Sequence, residues 1–420
     1  MKTPAPLSAA FGSIALSLPA DVPISGFYRR DPGRSRLGPE ILEFSYCILR
    51  SPDHCLAYFL GDFLYFPNYL RDRLSKISSS VFQLRSATTI TAGTHTHGGP
   101  EMGFLYRDRP REELQESLFQ QIAPILLQLR EEDFSPVTVQ YFAIRLDEPI
   151  SVGRRRVSRW FPGRVFRAPD PDTTPDPVVY GLKIRRNDKR VLLLASFASH
   201  PVFHTGPEPS GDYPGAVRRQ LKKLHPETEL LLFNGFAGDL RPNYTTRRPG
   251  GQPLSSGWWR DLAKSLLVGS RFKEYSKHEL EMFCAVLVNG LQRALSDTSS
   301  EHLALSAVSE TAIPVPKLRD GRTLDLRIHR FGPVLLLALN AELFSEYLSR
   351  LEQDFPQFSF LSISCAGDSI GYLPTDEALA HGGYEIDEAP VWNGMEAPFT
   401  AEELAHIYET VCGAIKALEP

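Results

Sequence analysis

The feature that most constrains this chain is a set of short, almost uninterrupted apolar runs, each giving way to a polar or glycine-containing loop. They are HCLAYFLGDF, ATTITAG, RVLLLASFAS, ELLLFNGFAG, PVLLLALN and FSFLSISCAG. Runs this compact read as buried strands. Helical patterns lie between them. In LQESLFQQIAPILLQL, the residues Leu114, Leu118, Ile122, Ile125 and Leu129 fall on one helical face, with Pro124 expected to kink it. The later TAEELAHIYETVCGAIKAL opens with Thr400 and Glu403 in capping-box positions. Strands interleaved with helices predict an α/β fold: one large unit with flanking helices, whose sheet need not be wholly parallel.

At 420 residues and 42% hydrophobic content the chain can bury a large core. A formal charge of −4 offers no general attraction for nucleic acid, so nucleic acid is not an expected partner. Five cysteines without CxxC spacing argue against a disulfide scaffold or a thiolate zinc site, and they suit a reducing, cytoplasmic compartment. The opening MKTPAPLSAAFGSIALSLPA reads either as a first strand or as a secretory signal, which would make the protein secreted or periplasmic. No stretch approaches the roughly 20 apolar residues of a transmembrane segment. The loops at 167–177 and 247–253 read as surface connections, and composition does not change across either, so a single domain over residues 1–420 is expected.

The residues just past the apolar runs form a set. They are His95 and His97, then His200 and His204, then Asp239, Arg241 and Asn243, then Glu342, and finally Asp368 and Tyr372. In open α/β sheets ligands bind at the carboxyl ends of strands. His95 and His97, two apart on an extended chain, would face one side while Thr96 faces away. They read as a metal clamp or as a hydrogen-bonded pair of loop histidines. Histidine nitrogens with a carboxylate suit zinc. Equally, Glu342 could sit in the first turn of the helix ELFSEYLSRL, Tyr372 could be a core tyrosine, and Arg154 to Arg156 could form a solvated turn.

Five segments, in order, resemble the catalytic domain of the neutral (non-lysosomal) ceramidases: GTHTHGGP, SFASHPVF, NGFAGDLRPN, LNAELFSEYLSRL and DSIGYLPTDEALAHGGYE. The resemblance spans roughly residues 10 to 390 and implies a ceramidase-like catalytic fold without that family's C-terminal β-sandwich. It implies one Zn(2+) held by His95, His200, Glu342 and Tyr372, with His97 beside it either supporting the ligands or as a catalytic partner. Tyr384 falls where the family places a substrate-contacting tyrosine, and Arg154 matches a site arginine. The substrate implied is a small-molecule or lipid N-acyl compound of the kind met in sphingolipid metabolism.

The chain departs from the family at Arg241, where the motif carries the serine assigned as nucleophile, and a glycine replaces the serine after the second histidine. Arginine stays protonated and only donates, so it cannot act as that nucleophile. The expected activity is therefore amide hydrolysis with zinc-activated water, Arg241 serving as an electrophilic clamp. Two other readings compete: a degenerate metal-binding relative that acts as a binding protein, and a metal hydrolase of the amidohydrolase barrel type.

Overall fold

A computed structural model describes residues 7–19, 22–26, 40–82, 87–103, 111–158, 163–170, 172–246, 271–272, 276–298 and 301–419. The main sheet has eight strands: β1 (Leu7–Leu16), β2 (Leu42–Arg50), β3 (Cys55–Gly61), β4 (Ala87–Gly93), β5 (Ser135–Arg145), β8 (Val178–Arg186), β9 (Val191–Phe197) and β10 (Thr228–Asn234). Their order is β10-β9-β8-β5-β1-β2-β3-β4. Only β10–β9 and β3–β4 pair in parallel; the rest are antiparallel. This mixed sheet, with β10 and β4 at its ends, is not a parallel barrel, which removes the amidohydrolase-type reading. Residues 7–16 are built into it as β1, between β5 and β2.

A second sheet joins β14 (Leu305–Pro314), β15 (Thr323–Phe331), β16 (Val334–Leu339) and β18 (Ser359–Ile363). The two sheets pack face to face. On β16, Val334, Leu336 and Ala338 meet Leu192 and Leu194 of β9 in one core. The alternate residues Leu335, Leu337 and Leu339 face a different core, built with α5 (Glu346–Asp354) and α6 (Ala401–Lys416). The outer face of the main sheet is covered at one end by α1 (Asn68–Phe82) and α2 (Glu112–Gln128), and at the other by α3 (Asp212–Leu224) and α4 (Lys277–Ser296). The layers therefore run helix, sheet, sheet, helix. Strands covered on both faces have no solvent side, which is why their sequences are continuous apolar runs rather than alternating ones.

The helices follow their sequence signals with one shift. Thr400 Oγ1 accepts from Glu403 N–H and the Glu403 carboxylate accepts from Thr400 N–H, closing the expected capping box of α6. On α2 the fully buried stripe is Leu114, Leu118, Ile122 and Leu126, with Ile125 half-buried, and the helix continues through Pro124. Among the described residues no helix is long and apolar enough to cross a membrane. All five cysteines are free.

Three small pairings sit at the sheet ends. β6 (Ser151–Val157) lies between β7 (Val165–Asp170) and β11 (Leu240–Pro242); β12 (Thr245–Thr246) pairs β13 (Arg271–Phe272); β17 (Glu342–Leu343) pairs β19 (Tyr372–Leu373). One loop expectation changes here: residues 167–170 belong to β7 rather than to a surface connection. The other, 247–253, lies outside the described residues.

Candidate metal centre

The predicted donors come from the carboxyl ends of strands in both sheets. His95 and His97 follow β4 and His200 follows β9, while Glu342 opens β17 just beyond β16 and Tyr372 opens β19 beyond β18. Glu342 is thus in a short strand paired with Tyr372, not in the first helical turn, and α5 begins four residues later. The His95 and His200 rings are 4.8 Å apart, and the His97 ring is 5.4 Å from the first and 6.1 Å from the second. One nitrogen from each of the three lies within 4.8 Å of the others. Glu342 Oε2 is 3.3 Å from His95 Nε2 and 3.0 Å from His200 Nε2. The Tyr372 ring stacks beside His200 at 6.4 Å.

The backbone settles which nitrogens point inward. His95 Nδ1 lies 3.1 Å from the Leu64 carbonyl and His200 Nδ1 lies 2.8 Å from the Ala237 carbonyl. A carbonyl only accepts, so each Nδ1 carries a proton and each neutral ring keeps a bare lone pair on Nε2. Both lone pairs face the same carboxylate oxygen, an arrangement that repels unless a positive charge sits between them. His95 Nε2 is buried and makes no hydrogen bond.

The charge states agree. Burial pushes His200 down to about 3, with the Arg154 charge adding to the effect, so its imidazole is neutral. Burial acts the same way on His95, but Cys365 and Glu342 outweigh it and hold that histidine well above its ordinary value. Glu342, opposed by its own burial, is held well below the usual carboxylate range chiefly by His95 and His200. One cation, a proton or a metal ion, belongs in this cluster. Imidazole nitrogens with a carboxylate are a donor set that suits zinc, so the residues fit that metal.

The HxH pair does not reach this geometry by strand alternation. β4 ends at Gly93, and His95 has φ 63°, in the left-handed region that non-glycine residues seldom occupy. Cys365, whose Sγ lies 3.4 Å from His95 Nδ1, has φ 56°. Two such residues in contact at one site are local strain held by surrounding structure. Thr96, turned away as expected, is buried and donates to the Ser210 carbonyl at 2.7 Å.

A segment without any motif of its own supports two donors together. The residues Asp62 to Tyr65 directly follow β3. The Tyr65 hydroxyl donates to Glu342 Oε1, Leu64 supplies the carbonyl that holds His95, and the Phe63 carbonyl accepts from His95 N–H at 3.0 Å. Asp62, fully buried, anchors the segment through Arg218, whose Nη2 donates to Oδ2 at 2.6 Å. Sequence reasoning misses these residues, although the strand-end rule, extended to the polar tail of HCLAYFLGDF, would point to them.

Arg154 is not on a solvated turn. It lies within β6 at 2% exposure, where a register shift separates Gly153 from Arg155. Its Nη2 donates to the Gly238 carbonyl at 2.8 Å and to the Tyr372 hydroxyl at 2.9 Å, and its Nε sits 2.9 Å from Glu385 Oε1. Arg155 holds the other oxygen of Glu385 at 2.5 Å. Burial opposes charge on Glu385, but the two arginines outweigh it and hold its carboxyl below the ordinary range. Its neighbour Tyr384 is partly exposed, with its ring 6.1 Å from Tyr372.

Arg241 lies on β11 opposite Val152, its guanidinium 4.5 Å over the Phe272 ring. Asp239 and Asp212, two buried carboxylates of neighbouring segments, are held by backbone amides and a hydroxyl. Asp239 accepts from the Ser345 amide and hydroxyl at 2.7 and 2.9 Å, and Asp212 accepts from the His204 and Tyr213 amides, both at 2.7 Å. Three residues of the strand-end set serve local structure instead: His204 Nε2 contacts the Glu208 carbonyl at 2.7 Å, Asn243 donates to the Pro149 carbonyl at 2.9 Å, and Asp368 lies 4.0 Å from Arg322. A cavity of about 510 Å³ is lined by Arg155, Asp239, Phe344, Ser345 and residues 172–178; the three clustered histidines take no part in it.

No protein-family model matches the chain, and no curated protein matches it. Solved structures do. The neutral ceramidase from Pseudomonas aeruginosa superposes with a TM-score of 0.68 at 13% identity, over 100% of this chain and 76% of that one. A ceramidase complexed with C2 gives a TM-score of 0.68 at 14% identity, over 99% and 76%. The chain has the α/β fold of the neutral ceramidases.

Proposed function

We propose that this protein is a zinc-dependent hydrolase of amide (N-acyl) bonds, residues 1–420 forming one catalytic unit, with water as the attacking group. His95, His200, Glu342 and Tyr372 would hold the metal. A bound zinc supplies a Lewis acid and lowers the pKa of a water towards about 7. His97, at the edge of the cluster and half-buried, takes the proton of the attacking water and returns it to the departing amine nitrogen. Arg154 donates to the Tyr372 hydroxyl and so aims its lone pairs at the cluster. Tyr384 meets the substrate at the outer side of Tyr372. Arg241 replaces the nucleophilic hydroxyl of the resembled motif, and its donors suit a developing oxyanion.

The observation that carries this reading is the convergence of His95 Nε2 and His200 Nε2 on Glu342 Oε2 in a buried cluster whose charges call for one cation. The test is metal analysis of purified protein, together with hydrolysis of a panel of N-acyl amides and esters by wild type, His95→Ala and His200→Ala. About one zinc per chain and turnover lost in both variants is the expected result. Absence of metal from the wild type, or metal undiminished in both variants, overturns it. Bound metal without turnover on any amide would favour the binding-protein reading.

A further inference from the structure

The cavity of about 510 Å³ is a space of its own, separate from the metal centre. None of the proposed metal donors lines it, nor do His97, Arg154 or Tyr384. The two spaces stand back to back across β6: Gly153 and Arg155 line the cavity, while Arg154 between them reaches the Tyr372 hydroxyl. The inner wall of the cavity is apolar. Phe197 at the end of β9, Phe236 just past β10 and Phe344 just past β17 line it, each at 3% exposure or less. The Ser196 hydroxyl on the same side is already spent on the Ser362 carbonyl, at 2.5 Å.

The outer margin is acidic. Among the described residues, seven carboxylates line the cavity against one arginine and one histidine, Arg155 and His381. Arg155 is taken by Glu385 and by the Gly382 carbonyl, so it does not answer them. Four of the seven are engaged: Asp176 by Arg145, Glu346 and Glu377 by Arg350, and Asp239 by Ser345. Asp170, Asp172 and Glu352 have no cationic partner among the described residues. Partial burial and then the like charge of Asp176 raise the Glu352 carboxyl above its ordinary value, so these two anions act on each other.

Like charges at the mouth of a cleft with low-dielectric walls draw in ions of the opposite sign. A metal ion alone would leave the phenylalanine wall uncovered; a ligand with an apolar body and a cationic head meets both surfaces. A volume of this size, with an apolar lining and a few polar groups, is the usual form of a small-molecule site.

We propose that this cavity is a second ligand site, for an amphiphilic organic cation: an alkyl or aryl body lies against Phe197, Phe236 and Phe344, and an ammonium group is held by Asp170, Asp172 and Glu352. The ammonium donates charge-assisted hydrogen bonds to those carboxylates. The site goes beyond the hydrolase reading and stands or falls apart from it, because it needs neither the metal nor turnover.

The test titrates the full chain by calorimetry at low ionic strength with octylammonium, methylammonium, 1-octanol and calcium. Octylammonium should bind about ten-fold or more tightly than methylammonium, which lacks the chain, and than 1-octanol, which lacks the charge. Glu352→Gln and Asp172→Asn, both at exposed positions, should each weaken it about two- to five-fold, and about ten-fold when combined. Ser349→Trp, which fills the opening from the exposed side of α5, should weaken octylammonium binding while leaving both carboxylates in place. Circular-dichroism melts establish that each variant is folded. Affinity should be the same in chelator-treated protein and in His95→Ala. Loss of binding in either would place the amine on the metal and overturn the second site. Equal affinity for octylammonium and 1-octanol, affinity unchanged in the double carboxylate variant and in Ser349→Trp, or binding of calcium but not of octylammonium would overturn it as well.

Discussion

The Tyr65 hydroxyl donates to Glu342 Oε1, which leaves Oε2 as the oxygen that faces His95 and His200. One phenol thereby decides which lone pairs of the carboxylate are presented to the cluster. Partners of this kind, outside the ligand set, commonly change metal affinity by about 10- to 100-fold. Tyr65→Phe keeps the buried ring and removes only the donor. Zinc affinity, measured by competition with a chelator, should fall by about that factor while the circular-dichroism spectrum stays that of the wild type. An unaltered affinity would mean that Glu342 is oriented by something else.

Glu385 neutralises Arg154 where both are buried, at 3% and 2% exposure. Removing one partner of a buried pair strands the other, typically at about 3–5 kcal/mol. Glu385→Ala should therefore destabilise the protein on that scale in urea unfolding, and the larger loss should be relieved by Arg154→Met in the same chain. A double variant no more stable than Glu385→Ala would refute the assignment of the cost to a stranded guanidinium.

Gly238 permits a close backbone crossing. A Cβ there would lie 2.4 Å from the Glu342 carbonyl oxygen and 3.0 Å from that of Leu343. Neither atom is the end of a flexible side chain, so β17 itself must move. Gly238→Ala is expected to cost about 1–3 kcal/mol of stability and to lower zinc content disproportionately, because the strand that shifts carries a donor. Zinc content per folded molecule is the measurement; a value equal to wild type argues that β17 tolerates the displacement.

His329, between the sheets, is held at Nδ1 by the Tyr58 hydroxyl at 2.7 Å and at Nε2 by Thr88 Oγ1 at 2.8 Å. Burial, followed by the charges of Arg327 and His54, pushes its pKa down to about 3. In the unfolded chain an ordinary histidine binds a proton near 6.5. The unfolded state therefore holds one more proton at pH values between those two. The contribution is complete above about pH 6.5 and declines as pH falls towards 3, by up to about 1.4 kcal/mol per pH unit. Replacing it in His329→Gln should flatten the stability profile between pH 4.5 and 6.5 by close to one proton. Parallel profiles for the two proteins would show that His329 does not titrate on unfolding.

Much of this arrangement is legible in the sequence, and for a physical reason. The apolar runs mark strands covered on both faces, and the residues just past their ends must leave the core, so His95, His200, Glu342 and Tyr372 stand out without knowledge of the sheet order. Features that depend on pairing lie beyond reach. The Arg154 run carries no apolar signature, yet a register shift in β6 turns that one side chain inward against Glu385, 231 positions on. The left-handed turn at His95 is equally silent, since nothing in THTHG announces that the backbone reverses there rather than continuing as a strand. Tyr65 escapes notice because its segment is still aromatic, and so resembles the end of a strand more than the loop beyond it.

The donors are divided between the sheets: His95 and His200 follow strands β4 and β9 of the eight-stranded layer, while Glu342 and Tyr372 lie in the β17–β19 pair that follows strands β16 and β18 of the four-stranded one. Neither layer can build the cluster alone. Its interatomic distances are therefore a gauge of how the two layers slide and tilt against each other, with the side chains of Leu194 and Leu336, far down the same interface, setting the reading. A substitution there touches no polar atom, yet it can detune a constellation that tolerates only fractions of an ångström. Conversely, an ion that closes the cluster clamps the layers together, so that occupancy at one rim stiffens the whole apolar seam.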